Sequence, residues 1–585
     1  MSKEQSVLGV ECSLNNYHWK WRNQDEALAT GIAQRFSLPE AIARILVGRG
    51  VKLEEVEQFL KPTIRKLMPN PLSFKDMEQA VTQLALAIQR KKKIAVFGDY
   101  DVDGATSSAL LKRFFSHIGV EVSIYIPDRV KEGYGPNPNA VEKLHKQGIE
   151  FLITVDCGMQ AYDALKHAMS LDMEVIVIDH HQSGDTLPEA SSIINPKRID
   201  DESGMDNLAA VGVVFLFVVA LSRKLGISEK DNKYLMQWLD LVALGTVCDV
   251  VPLKGLNRAF VRTGLEIMAK RQNKGLVALM DNAQLTARPT PYDLGFRLGP
   301  RVNAGGRVGE CNLGARLLAS TSGEEAVALA MRLDEYNSKR QEIEKELVGG
   351  AILEIEKNLQ ATKLPKIICI AQKQWHVGVI GIVAARVKDK FRRPAIVIAF
   401  DKQGQGKGSA RSVDGLDMGA LIGKALSLGL IENGGGHKMA AGISLKESQL
   451  EGFQKFLEKE MQKLHIPETQ ELQIDAALSP EGANRDFLDS LEAIGPFGAG
   501  NPTPKFLFAN IIVEYADIVG ENHVRCSISS TAKQGRLKAI CFGSANTPLG
   551  KTLLENRMPM HVIGKLQADD FHGKRGVQLV IKDGF

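Results

Sequence analysis

Aspartates recur in four short clusters. Asp99, Asp101 and Asp103 alternate within Gly98-Asp-Tyr-Asp-Val-Asp-Gly104, and Asp156 opens Asp-Cys-Gly158; Asp179 precedes His180-His181, and Asp249 ends Thr246-Val-Cys-Asp. Carboxylates and imidazoles are the oxygen and nitrogen donors that suit Mn2+ and Mg2+, whereas thiolates select softer metals. Brought together without a cation, so many acids would repel one another and take up protons. These residue types therefore predict a metal site, provided the fold gathers them. Each cluster also has a plainer reading. An Asp-x-Asp is ordinarily a solvated turn, Asp-Cys-Gly a turn that ends a strand, and a His-His pair structural. No Ser-His-Asp or Cys-His pattern supplies a side-chain nucleophile, and Cys157 and Cys248 read as small packing residues beside the acids.

A parallel sheet would gather the clusters. Short apolar, β-branched runs at 94–97, 122–126, 151–155 and 175–178 alternate with helical stretches at 107–118 and 140–147. That is the pattern of buried strands covered by helices. The first, third and fourth runs lead directly into acids or histidines. In a parallel sheet the carboxyl ends share one edge, where ligands bind, and this shared position favours a metal site over separate turns. Residues 1–75 read as short helices with turns around Pro62, Pro69 and Pro71. Residues 205–360 are helix-rich and end in a charged stretch, 324–359, with few breakers before Gly349-Gly350; it suits a connector between domains. A second α/β block has strands at 366–371 and 395–400 flanking a helix near 379–390, then glycine-rich segments at 404–408 and 434–436. Five alternating runs, at 506–517, 523–530, 536–542, 560–568 and 576–581, predict a small all-β barrel of OB type. The predicted fold class is α/β: two α/β domains joined by a long helix, plus the barrel. The expected division is 1–75 as an N-terminal helical segment, 76–325 as the catalytic domain, 326–360 as the connecting helix, 361–465 as the second α/β domain and 466–585 as the barrel domain.

A chain of 585 residues exceeds what one core supports, and its 44% hydrophobic and 24% charged content is ordinary for a globular protein. No uncharged apolar run of about 18 residues predicts a membrane span. No basic segment leads into an apolar one at the start, so no secretory signal is read. The seven cysteines are scattered without a Cys-x-x-Cys pair, which argues against a disulfide framework or cysteine zinc site and for a reducing, cytoplasmic location. The net charge of +4 is too small to identify a nucleic-acid partner. Residues 501–585 alone carry eleven basic side chains against seven acidic, an excess that ordinary fluctuation explains equally well.

The four clusters, in this order and wording, resemble the successive motifs of the DHH phosphoesterase superfamily. Chain length, motif wording and domain order are similar to its RecJ family of bacterial single-strand-specific exonucleases. The resemblance runs from about residue 75 to 585. It implies a two-metal-ion phosphodiesterase, using Mn2+ or Mg2+, that removes mononucleotides from the 5′ end of single-stranded DNA in repair and recombination. By motif position, Asp101 would ligate one metal and Asp103 the other, Asp156 would bridge them, and His180 and Asp249 would complete the second. Asp99 would sit close by, Asp179 would orient a histidine, and His181 would contact the scissile phosphate. The implied 5′-phosphate and DNA contacts are Arg129; Arg301, Asn303 and Arg307; Ser409 and Arg411 of a phosphate-gripping loop; and Gly435, Gly436 and His437 of the DHH-associated hallmark. Glycines let backbone N–H groups approach phosphate, and Arg pairs with it bidentately. Family members often carry Gly where Ala410 stands, and a positive φ there would strain the loop. Phe506, Phe508, Tyr515 and Phe571 either stack on bases or fill the barrel core. The resemblance further implies a helicase and a single-strand-binding protein as partners, no membrane, and a monomer. Two other readings stand beside it. A phosphatase or short-oligonucleotide hydrolase of the same superfamily would be shorter and lack the barrel; a non-catalytic DNA-binding scaffold would have lost acids that are all present here.

Overall fold

Ile94–Gly98 and Phe151–Val155 are buried at every position, which requires a sheet covered on both faces. In the computed structural model they are central strands of a five-stranded parallel sheet. Its order is Val122–Tyr125, Ile94–Gly98, Phe151–Val155, Glu174–Ile178, Ser192–Ile194. The structure describes residues 6–585 except 23–24, 129–131, 134, 185, 228–232, 360–363, 465–468, 532–534, 556–557 and 570–575. Arg129 and Phe571 fall outside the described residues. The alternation of side chains sends Ile94 and Val96 to one face, against Phe114 and Val211, and Ala95 and Phe97 to the other, against Leu144 and Leu165. Helix Val102–His117 starts five residues before the predicted 107 because Asp101 caps it, accepting from the Asp103 and Gly104 N–H groups at 2.9 and 3.1 Å. Gly104 permits this tight start, since a Cβ there would collide with the Asp99 carbonyl.

The connector is one helix, Gly323–Leu359, of 37 residues, about 55 Å long at 1.5 Å per residue. Ala326 and Leu333 pack into the core around the first sheet and Leu347, Ala351 and Ile355 into the next domain. It continues through Gly349-Gly350, where an added Cβ would meet nothing within 4 Å. Packing at both ends outweighs the weak helix propensity of that pair.

The second sheet corrects the reading of the glycine-rich segments. They are not loops. Gln405–Arg411 and Asn433–His437 are strands, in the order Asn433–His437, Ala440–Lys446, Gln405–Arg411, Ala395–Phe400, Ile368–Lys373. Their glycines make room for neighbours: a Cβ at Gly408 would lie 2.6 Å from Ile443 Cγ1, and one at Gly434 2.7 Å from Ile422 Cγ2. Ala410 is buried in extended backbone opposite Ile396 and Ala441, so no positive φ is asked of it.

The last domain is a closed barrel, because Phe506–Val519 pairs with both His523–Ser530 and Met560–Asp569. Phe506 and Phe508 are fully buried core residues, whereas Tyr515 is exposed. The N-terminal segment is not purely helical. Tyr17–Trp21 is a strand running parallel to Gln470–Ile474, and Trp19 Nε1 donates to Asp583 Oδ2 at 2.6 Å. Ile42, Ile45 and Leu46 share one core with Leu488 and Phe506, so this segment packs as a layer of the barrel domain. Among the described residues, no helix is long and apolar enough to cross a membrane.

Candidate metal centre

Each acid is delivered by the end of an element. Asp99 follows the strand Ile94–Gly98, Asp156 follows Phe151–Val155, and Asp179 and His180 follow Glu174–Ile178. Asp156 has a φ of +60°, a left-handed conformation uncommon outside glycine, while its N–H donates to the Ile178 carbonyl at 3.0 Å. Asp249 closes helix Leu239–Cys248, which packs on Val102–His117. Asp103 is buried, and its two carboxylate oxygens accept from the Ala210 and Val211 N–H groups at 2.6 and 2.9 Å. These amides are the positive end of helix Ala210–Lys224 and fix the carboxylate in place.

His180 is the hinge of the arrangement. Its Nδ1 lies 3.1 Å from the Leu208 carbonyl; donating there, it leaves the Nε2 lone pair available to a cation. Nε2 is buried without a hydrogen-bond partner, 3.2 Å from Asp156 Oδ1, 3.6 Å from Asp249 Oδ2 and 3.7 Å from Asp103 Oδ2. Asp249 Oδ2 is likewise buried without a hydrogen-bond partner. Among the described residues, three trios have donor atoms within 4.8 Å of one another: Asp99, Asp101 and Asp156; Asp103, His180 and Asp249; and Asp156, His180 and His181. Burial and then mutual repulsion, chiefly from Asp249 and Asp101 respectively, push Asp103 and Asp249 up to about 7. Burial and the nearby Asp101 raise Asp156 well above the usual carboxylate range, while burial lowers His180. A crowded set of oxygen and nitrogen donors with unpartnered buried atoms fits hard divalent cations.

Asp179 does something else. Its Oδ1 accepts from the His180 and His181 backbone N–H groups at 2.7 and 3.1 Å and lies 2.7 Å from His181 Nδ1; Oδ2 accepts from the Met159 N–H at 3.1 Å. Although burial opposes both charges, the Asp179–His181 bond raises His181 to about 9 and lowers Asp179 to about 2. His181 is thus held as a cation, 40% exposed at the edge of the cluster.

Beside the acids lies a groove of about 820 Å³, bounded by Tyr100, Gln160 and Arg307 on one side and by Ser409, Arg411, Gly435 and Gly436 of the second sheet on the other. Arg307 Nη1 donates to the Gly378 carbonyl at 3.0 Å, and Arg411 Nη1 to Ser409 Oγ at 3.0 Å. His437 is exposed at the end of its strand and is not among the lining residues. Arg301 faces away, bonded to Asp334 of the connecting helix at 2.8 Å, and lines a separate cavity. Asn303 sits in the same helix, Gly299–Val308, with its Oδ1 buried and without a hydrogen-bond partner. Sequence reasoning missed Gln160, Lys407, Asn433 and the turn Val377-Gly378. The two glycines of His376-Val-Gly-Val-Ile-Gly381 were the available signal: a Cβ at Gly378 would strike the Arg307 carbonyl, and one at Gly381 would lie 3.1 Å from Arg411 Nη2.

Comparison with known proteins agrees with this architecture. The DHH family N-terminal domain matches residues 93–246, the DHHA1 domain 361–463 and the RecJ OB domain 474–583. The single-stranded-DNA-specific exonuclease RecJ of Escherichia coli is 35% identical over 560 residues, 93% of this chain and 95% of that protein. Its namesake in Bacillus subtilis is 30% identical over 573 residues, 97% of this chain and 70% of that protein. The crystal structure of RecJ in complex with Mn2+ from Thermus thermophilus superposes with a TM-score of 0.81 at 28% identity, covering 98% of this chain and 80% of the other. A second from the same organism, with Mg2+, gives 0.75 at 26% identity, covering 97% and 78%. Identity of 35% sustained over 93% of this chain and 95% of the Escherichia coli protein, with the DHH, DHHA1 and RecJ OB domains matched along the chain, makes this chain a member of the RecJ family.

Proposed function

We propose that the chain is a single-stranded-DNA-specific exonuclease that hydrolyses phosphodiesters from the 5′ end to release mononucleotides, in DNA repair and recombination. The observation that carries this reading is His180 Nε2, unpartnered and within 3.7 Å of three carboxylates, beside a polar groove. Asp101, Asp103, Asp156, His180 and Asp249 would hold two divalent cations, Mn2+ or Mg2+, with Asp99 close by. When bound, such a pair neutralises the acids and activates a water for in-line attack on phosphorus.

The remaining work belongs to side chains. The Leu208 carbonyl fixes the His180 ring, and the amides of Ala210 and Val211 fix Asp103. Asp179 keeps His181 protonated and turned toward the edge of the cluster, where its N–H meets the scissile phosphate and offsets charge building on its oxygens. Arg307, Ser409, Arg411 and the backbone at Gly435-Gly436 grip the terminal 5′-phosphate. Gripping the end at a fixed distance from the acids yields an exonuclease. Arg129, Asn303 and His437 belong to the same reading as contacts farther along the strand, whereas Arg301, turned away and paired with Asp334, drops out of it. Its domains are residues 76–325 for chemistry, 361–465 for phosphate binding and 466–585 for the strand. Action as a cytoplasmic monomer alongside a helicase and a single-strand-binding protein extends it.

The test is digestion of single strands labelled at either end, with and without 5′-phosphate, in Mn2+ or Mg2+. Mononucleotides released first from the 5′-labelled end, with duplex spared, support the reading. Preference for a dinucleotide or pyrophosphate over a 30-mer, or full activity in Asp156→Ala, overturns it.

A further inference from the structure

A cavity of about 330 Å³ lies where three parts of the molecule meet: the N-terminal helices, the start of helix Gly255–Met268, and the segment leading into the barrel. Arg49, Phe59, Lys254, Gly255, Arg258 and Asn501 are among its walls. It shares no lining residue with the groove beside the metal centre.

Arg258 is the unusual wall. It is 2% exposed, deep in the interior. Nε donates to the Phe59 carbonyl and Nη2 to the Ile494 carbonyl, each at 3.0 Å, and the guanidinium lies 3.9 Å from the centroid of the Phe59 ring. Nη1 is buried without a hydrogen-bond partner. No carboxylate forms an ion pair with Arg258 among the described residues. Burial, and then the charge of Arg262, lower its pKa to about 9. A buried cation without an anion is costly, and a purely structural staple needs only the two carbonyls already engaged. Lys254 stands at the N-terminus of the 14-residue helix Gly255–Met268, which has no side-chain cap; its first amides therefore add the positive end of a helix dipole. Arg49 pairs with Asp475 at 2.9 Å, a carboxylate it shares with Arg22, and the rim carboxylate Glu55 accepts from the Lys52 N–H at 3.0 Å. Against the single lining carboxylate, Glu55, stand Arg258 and Lys254, neither of which forms an ion pair with a carboxylate among the described residues.

We infer that this cavity binds a small phosphate-bearing anion, held by Arg258, Lys254 and the first amides of helix Gly255–Met268, at a site separate from the DNA groove. Helix N-termini and guanidinium groups are the ordinary partners of phosphate. Phe59, Pro62 and Leu67 offer an apolar wall to an organic body, and the volume is at the small end for ligand sites. Inorganic phosphate and a nucleoside monophosphate share this chemistry. Either would tie the N-terminal segment and the approach to the barrel onto the segment that carries Asp249, since Lys254 is five residues beyond it and Leu253 N–H donates to the Ala499 carbonyl at 2.8 Å.

The experiment is calorimetric titration of the metal-free full chain carrying Arg411→Ala, which weakens the groove's own phosphate grip, so that the response to Lys254→Ala assigns the binding to this cavity. The probes are inorganic phosphate, deoxyadenosine 5′-monophosphate and deoxyadenosine. It needs no nuclease activity, so its failure is distinct from failure of the proposed function. One equivalent of phosphate and of the monophosphate binds and deoxyadenosine does not; adding Lys254→Ala or Arg258→Gln weakens binding about tenfold or more. Tighter binding of the monophosphate names the nucleotide as ligand, and equal binding names inorganic phosphate. No saturable binding in Arg411→Ala, or an unchanged affinity with Lys254→Ala added, overturns the assignment. Lys254 is exposed, so that variant decides even if Arg258→Gln does not fold.

Discussion

Asp156 occupies a left-handed backbone position and stands 3.2 Å from His180, so neither its carboxylate nor its geometry has a substitute. Asp156→Ala lowers kcat by at least about 10^3-fold, with circular dichroism unchanged and bound Mn2+, counted by equilibrium dialysis, reduced. Asp179 is separable from the ligands because its partner is His181. Its pKa falls from 3.8 to about 2, so its contribution to stability is present above 3.8 and lost as pH falls through 2. That of His181 rises from 6.5 to about 9, so its contribution is full below 6.5 and fades as pH climbs through 9. Asp179→Asn in the metal-free protein therefore lowers the melting temperature most between pH 4 and 6.5, and the gap narrows toward pH 9 and above; a gap constant with pH would refute the pairing. The acids and histidines were legible in the sequence because each sits in a short contiguous motif, at a strand end for all but Asp249, which closes a helix. Gln160 and Asn433 were not, because single polar residues reach the groove only through folding.

The helices and strands carry a different lesson about glycine. In the connecting helix, Gly349 and Gly350 have open space where a Cβ would stand. Gly349→Ala and Gly350→Ala each stabilise the protein by about 0.5–1 kcal/mol, seen as a rise in urea midpoint. In the second sheet the same change has the opposite sign. A Cβ at Gly408 presses on Ile443 and Ile398, and Gly408→Ala costs about 1–3 kcal/mol in the same assay. Glycine is depleted in strands, which is why Gln405–Arg411 and Asn433–His437 read as loops; the bulk of Phe400, Ile443 and Ile422 across from Gly406, Gly408 and Gly434 explains those three. The apolar strands at 94–98 and 151–155 gave themselves away because burial on both faces forces a continuous apolar run.

Across the molecule, the order of domains was readable but the packing of the first segment was not. The run Tyr-His-Trp-Lys-Trp at 17–21 is short and half polar, and its partner strand lies some 450 residues on, beyond the reach of any local pattern. Its consequence is testable: a chain lacking residues 1–60 uncovers Leu488 and Phe506, and the barrel domain loses cooperative melting or aggregates, while the parallel sheet at 94–194 keeps its protection from amide exchange. The Trp19–Asp583 hydrogen bond joins residues 564 positions apart. During synthesis at roughly 5–20 residues per second, the early helices must wait on the order of a minute for their cover to leave the ribosome. Throughout that interval the nascent chain exposes Ile42, Ile45 and Leu46 to holding chaperones. A message broken anywhere upstream of the barrel leaves that surface exposed for good, marking the fragment for proteolysis.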